Sequence, residues 1–189
     1  MLTRHLLLGL LCCLFCVSSV FAQGDQPVHS GSAAIVSIKT LNDKVNENIT
    51  NNQLFSHRVT LNNANGVKIW GNLGKYREDV NCYFEMKNGR FTLKKVVVTA
   101  TIADRQTYID YLYDGDGTPT LCYYHHNVAK AGAPQERYYY LGKKLILLNK
   151  NESGVEEQDF TTDMVQEGIE MLNKGVNYKK MFDAMIRIQ

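Results

Sequence analysis

The chain has 189 residues, 44% of them hydrophobic, which suffices for one domain with a packed core. Lys and Arg total 21 against 19 Asp and Glu, a formal net charge of +2. So even a balance gives no electrostatic footprint for nucleic acid or an anionic membrane, and neither is expected as a partner.

The chain opens with Arg4 and His5, continues as an uncharged apolar run from Leu6 to Val17, and reaches Val20-Phe21-Ala22 through Ser18 and Ser19. Small or short residues at the −3 and −1 places complete the three-part pattern of a cleavable signal peptide. The run is shorter than the roughly 20 apolar residues a membrane anchor needs. The expectation is a secreted or periplasmic protein cleaved near Ala22, with no stable membrane insertion afterwards. Arg4 is the only Lys or Arg in residues 1–22, which hold no acid, so cleavage lowers the net charge from +2 to +1. It also removes Cys12, Cys13 and Cys16.

Residues 23–31 carry Gly, Pro and Ser without a period and read as a flexible tether, leaving 32–189 as a single α+β domain. From Ser32, Ile38, Leu41, Val45 and Ile49 recur at three- and four-residue steps, a helix with one apolar face that stops near Asn51-Asn52. The period then becomes two. Ser56 to Leu61 reads as a strand, Asn62 to Gly66 as a turn, and Val67 to Trp70 as a short strand before a loop with Gly71 and Gly74.

Val80, Cys82, Phe84 and Met86 alternate with polar residues, and Asn88-Gly89 supplies the two-residue turn that tolerates positive φ twice. This turn pairs Met86 with Phe91 and Phe84 with Leu93. Continued unbroken, the register would bury Lys95 opposite Cys82 and turn Val96, Val98, Ala100 and Ile102 outward. Either a β-bulge near Lys94-Lys95 swaps the faces, or both faces are covered. Thr107 to Tyr113 and Thr120 to His126 flank Asp114-Gly115-Asp116-Gly117, and Glu136 to Leu141 and Lys144 to Leu148 flank Gly142-Lys143. Asn149 to Asp159 reads as a polar loop. Thr161 or Thr162 caps a helix with a Val165, Ile169, Leu172 and Val176 stripe, Gly175 interrupts it, and a further helical segment runs from Tyr178 to Ile188. The fold class is α+β: an antiparallel meander of six or seven strands, with an N-terminal helix and C-terminal helices packed on one face.

Two cysteines survive cleavage, Cys82 and Cys122. An exported chain normally bridges such a pair, but in a meander they stand three strand spacings apart, ~14 Å, beyond disulfide reach. The Asp114 to Gly117 loop has alternate carboxylates like part of a calcium loop, yet Thr118 to Leu121 adds no further carboxylate, and a hairpin turn explains it. His125 and His126 leave a strand on opposite faces and cannot share a metal without a partner such as His57. No metal or other cofactor is expected. No nucleophile-elbow, zinc-protease or phosphate-loop motif occurs, so no catalytic residue is assigned. Asn48-Ile49-Thr50 and Asn151-Glu152-Ser153 match the glycosylation acceptor, which matters only in a eukaryotic secretory pathway.

Tyrosines crowd the central strands. Tyr138 and Tyr140 fall on one face and Tyr139 on the other, and together with Tyr123 and Tyr124 they are the candidate ligand-binding residues for a protein, peptide or glycan. The expected function is a non-enzymatic binding module in the exported space. Two alternatives stand beside it: a hydrolase of envelope or dietary polymer built on His57, His125 or His126, and a structural subunit of an envelope assembly.

The runs Tyr111-Leu112-Tyr113-Asp114-Gly115-Asp116-Gly117, Leu121-Cys122-Tyr123-Tyr124 and Glu136 through Ile146 form a strand ending in an Asp-Gly turn, a Tyr-bearing strand, and Arg-Tyr-Tyr with a Gly-Lys-Leu-Ile hairpin. This pattern resembles uncharacterised secreted proteins of Gram-negative gut bacteria. The resemblance implies a periplasmic or surface location and carries over no catalytic residue.

Overall fold

The computed structural model describes residues 30–62, 76–103 and 105–187. The signal segment Met1 to Ala22, residues 23–29 of the tether, the strand at Val67 to Trp70 and the loop with Gly71 and Gly74 lie outside them.

Helix α1 (Ser30–Thr50) begins two residues before the expected Ser32. Eight strands follow: β1 (Phe55–Asn62), β2 (Tyr76–Lys87), β3 (Arg90–Ile102), β4 (Arg105–Tyr113), β5 (Pro119–His125), β6 (Gln135–Leu141), β7 (Lys144–Lys150) and β8 (Ser153–Glu156). A 3₁₀ turn (Glu157–Asp159) leads into helix α2 (Thr162–Ile186). Every strand pairs antiparallel with its chain neighbour, in the order β1 to β8. The meander is as expected, but the strand count among the described residues is eight. The additional strand, β8, comes from the segment expected to be a loop. Asn151 (φ 48°) and Glu152 (φ 74°) turn the chain there, and only Val155 gives β8 an apolar side chain, so no alternation marks it.

The Asn88-Gly89 hairpin has φ of 52° and 72° and sets Met86 opposite Phe91 and Phe84 opposite Leu93. One residue further the register slips. Tyr83 pairs with Lys95, Lys94 is the extra residue, and Val96, Val98 and Ala100 turn to the buried side. Both readings of this strand hold, because Lys95 on the other side is itself only 3% exposed, covered by α1.

The helices do not share a face. Ile38 and Val45 of α1 pack on Leu112, Leu121, Tyr139 and Ile146. Met171, Leu172 and Phe182 of α2 pack on Val80, Val96, Tyr111, Tyr113, Tyr138 and Tyr140. Since Tyr111 and Leu112, like Tyr138 and Tyr139, are chain neighbours in strands, the two helices lie on opposite faces. The expectation of helices on one face is thereby corrected. A sheet covered twice needs apolar residues on both sides, which is why Tyr111 to Tyr113 and Tyr138 to Tyr140 are buried without alternation.

The C-terminal region is one helix, capped by the Thr161 hydroxyl accepting from the Met164 amide. Gly175 does not interrupt it. The face turned inward is Gly168, Met171, Leu172, Gly175 and Phe182, while Val165 and Ile169 of the expected stripe are exposed. The glycines let the helix backbone rest on the sheet. A Cβ at Gly175 would stand 2.8 Å from Tyr111 Cδ1 and 2.9 Å from Pro119 Cγ, and one at Gly168 2.8 Å from Leu145 Cδ2. The closeness puts both carbonyls within reach of the sheet: the Tyr113 hydroxyl donates to Gly175 O and the Tyr140 hydroxyl to Gly168 O, each at 2.8 Å.

Candidate binding surfaces on the two sheet faces

The five candidate tyrosines do not form one row. Tyr138 and Tyr140 are buried beneath α2, Tyr139 is buried beneath α1, and only Tyr123 and Tyr124 are half-buried, on opposite faces. The alternation of Tyr138 to Tyr140 is as expected, but burial takes all three out of reach of a ligand.

On the α1 side the helix covers β4 to β7 and reaches β3 only at Lys95. Lys95 Nζ lies 2.7 Å from Asp110 Oδ2 and donates to Asn46 Oδ1 at 2.6 Å and Asn42 Oδ1 at 3.2 Å. Burial pushes the Asp110 carboxyl above its ordinary value, by more than Lys95 and the Tyr108 hydroxyl pull it down. Past this pair no helix of the described residues covers the sheet face. The register brings Tyr83, Tyr108, Tyr123 and Arg137 to it from four strands, β2, β4, β5 and β6, because Asp110 stands opposite Tyr123 and Tyr123 opposite Arg137.

These four side chains are half-buried. The Tyr108 and Tyr123 rings lie 5.9 Å apart at 59°, the Arg137 guanidinium sits 4.8 Å from the Tyr123 ring centre, and the Tyr123 hydroxyl donates to Gln135 Oε1 at 3.0 Å. Arg137 has no carboxylate partner within ion-pair distance among the described residues. Tyr123 was legible from the sequence. Tyr108 is one of the tyrosines that crowd the central strands in the sequence, whereas Tyr83 and Arg137 carry no such signal, and the cross-strand register is what joins them.

On the α2 side Tyr124 packs against His126, ring centres 4.2 Å apart, at a cleft of about 700 Å³ between the β3–β4 turn and the β5–β6 loop. Arg105, Thr107, Lys130 and Gly132 complete its wall. His126 Nε2 approaches Glu136 Oε2 to 3.2 Å as an ion-pair contact without the alignment of a hydrogen bond. Glu136 also accepts from the Tyr138 hydroxyl at 2.6 Å and meets Lys150 Nζ at 3.3 Å, which in turn meets Glu167 at 2.8 Å. Burial raises the Glu136 carboxyl, but Tyr138, His126 and Lys150 outweigh it, and the net displacement is downward.

The remaining candidates separate. His125 leaves β5 on the α1 side, opposite Tyr108, and His57 stands on β1 opposite Cys82, so the three histidines do not meet. Among the described residues no three His, Cys, Asp or Glu side chains converge as metal ligands. Asp114 spends its carboxylate on its own turn, accepting from the Asp116 and Thr118 amides at 2.9 and 2.8 Å. Cys82 and Cys122 are free, buried thiols on β2 and β5, and burial pushes the Cys82 thiol up to about 11. Neither is poised as a nucleophile.

The chain matches no family model, no curated protein and no solved structure. What the fold defines is an α+β protein with an eight-stranded antiparallel meander between two helices.

Proposed function

We propose that this is a non-enzymatic binding module of the exported space, and that its partner is a protein segment laid on the open part of the α1-side sheet face. The observation that carries the reading is the cluster of Tyr108, Tyr123 and Arg137, ring tilted against ring and guanidinium over ring, half-buried on paired strands. Tyr and Arg concentrate binding energy at protein interfaces, since each offers a large contact area with a polar end and little conformational freedom left to lose once packed. Arg137, with no carboxylate of its own among the described residues, favours an acidic side chain in the partner. Export rests on the pattern of Met1 to Ala22.

The test is a peptide array and a glycan array probed in parallel with the chain from Gln23 and with its Tyr123→Ser/Arg137→Ala variant. The expected result is binding to peptides with acidic and aromatic residues, at least tenfold weaker in the variant, roughly the loss of one interface hot spot. Peptide binding that survives the double substitution, or binding to glycans alone, contradicts it.

A His-based hydrolase is the second reading, favoured by one observation: of the three candidate histidines, His126 is the one that meets a carboxylate at a cleft. Turnover of a polymer substrate, abolished by His126→Ala and kept by Tyr123→Ser/Arg137→Ala, would replace the first reading.

A further inference from the structure

We infer that Lys95 of β3 and Asn46 of α1 join in an intramolecular amide bond, formed in the folded chain with loss of ammonia and assisted by Asp110 of β4 as acid and base. The inference does not depend on the function proposed above. The three residues come from three elements, and Lys95 and Asn46 stand 49 positions apart, so only folding brings them together.

The Lys95 amine is placed as a nucleophile rather than as a surface cation. Its side chain is 4% exposed, and three oxygens surround Nζ: Asn46 Oδ1 at 2.6 Å, Asp110 Oδ2 at 2.7 Å and Asn42 Oδ1 at 3.2 Å. A C=O bond is about 1.2 Å long, so the Asn46 carbonyl carbon lies within about 3.8 Å of the amine. Reacting atoms poised for attack stand about 3–3.5 Å apart. Asn46 is exposed, so its carboxamide has room to turn that carbon toward Nζ, and ammonia released there leaves directly to water. Asn42 is half-buried and further from the amine.

A lysine must be neutral to attack, and here its proton has a place to go. Burial disfavours the charged Asp110 carboxylate and holds the carboxyl above its ordinary value, with Lys95 Nζ in direct contact. Asp110 takes one proton from the Lys95 ammonium, and the free amine adds to Asn46 Cγ. In the resulting adduct both nitrogens are bonded to one carbon, so the carboxyl beside the first is close to the second and passes the proton on. The bond from Cγ to the old amide nitrogen breaks, and the bond from Cγ to Nζ remains. One ammonium side chain and one carboxamide thus give one secondary amide and one ammonium ion. Nothing is oxidised or reduced, and Asp110 ends as it began.

Such a bond takes the place a disulfide would hold in an exported chain. Cys82 and Cys122 are free thiols, and Lys95 is the tie between α1 and β3. The ion pair is the state of the freshly folded chain, and the amide is its slow product.

Trypsin digestion and mass spectrometry of the chain from Gln23, folded and held overnight at neutral pH, tests this. The expected product is residues 45–58 joined to residues 95–105, lighter than the two peptides together by one ammonia, about 17 Da. The same chain held in urea should give the two peptides unjoined. Lys95→Arg keeps the cation but removes the nucleophile, and Asn46→Ala removes the acceptor at an exposed position; both should abolish the joined product. Asp110→Asn, which removes the acid and base, should reduce it at least tenfold, a typical share for assisted proton transfer. Two separate peptides from the folded wild type overturn the proposal, and so does a bond from Lys95 to residues 40–44 through Asn42. A joined product undiminished in Asp110→Asn overturns it as well.

Discussion

The two faces of the sheet are closed by helices of similar length, but by different chemistry. Beneath α2 the contact is close and continuous: glycines at 168 and 175 bring the helix backbone down, and tyrosine hydroxyls from β4 and β6 reach its carbonyls. Its apolar cluster runs from Val80 on β2 to Leu148 on β7. Beneath α1 the aliphatic contact stops at β4, and the last tie to the sheet is polar: Lys95 of β3, paired with Asp110 of β4, donates to Asn42 and Asn46 of the helix. A helix anchored through a long lysine need not lie over the strands it holds. Among the described residues the α2 side therefore carries most of the core, and the α1 side is left with an open, aromatic stretch of sheet.

That contrast can be broken most strongly at Lys95. Lys95→Ala leaves Asp110 buried without its cation and should destabilise the fold by about 3–5 kcal/mol in urea denaturation, whereas Lys95→Met with Asp110→Leu should recover most of the loss. A loss below about 1 kcal/mol in the single variant would mean that Lys95, with Asp110, Asn42 and Asn46 around it, is no anchor. On the other face, Gly175→Ala should cost about 1–3 kcal/mol, because its methyl meets Tyr111 and Pro119. The same change in an open helix would gain about 1 kcal/mol. Tyr113→Phe and Tyr140→Phe should each cost about 1 kcal/mol with no change in shape, and a neutral result would show that the hydroxyl contacts contribute nothing.

Acid separates the faces by sign. Glu136 has a lowered carboxyl pKa in the fold, so its contribution is present above the ordinary glutamate value near 4.5 and is lost as pH falls through the lowered one. Asp110 is raised, so its contribution is fullest below the ordinary aspartate value near 3.8 and is lost as pH climbs through the raised one. Comparing thermal unfolding between pH 3 and pH 6, Glu136→Gln should flatten the loss of stability toward acid and Asp110→Asn should steepen it. Equal slopes in the two variants would contradict these assignments. The smallest effect on folding belongs to Arg137→Ala, within about 0.5 kcal/mol, with its consequence confined to partner binding.

Much of the scaffold was legible in the residues. Asn88-Gly89 determined the pairing of Met86 with Phe91, and the conflict between Lys95 and the valines after it located the bulge. The face of α2 was misread because hydrophobic periodicity gives glycine no weight, yet Gly168 and Gly175 are the positions that approach the sheet, while Val165 and Ile169 face solvent at 41% and 44% exposure. The second layer had a signal in the unalternating Tyr138-Tyr139-Tyr140 and Leu145-Ile146, which only a sheet covered on both sides can bury. β8 left almost none. The surface cluster was half visible, since Tyr123 stands out by itself but its neighbours Tyr108 and Arg137 are 15 and 14 positions away along the chain and meet it only through strand register.

The most direct test of the binding surface is a photoreactive phenylalanine analogue placed at Tyr108, at Tyr123, or at Val165 as an exposed control on the α2 side, in the cell that makes the protein. The account predicts one and the same protein cross-linked from positions 108 and 123, not from 165, and lost when Arg137→Ala is added. Cross-links from 165 alone, or from 108 and 123 to unrelated proteins and unaffected by Arg137→Ala, would contradict it.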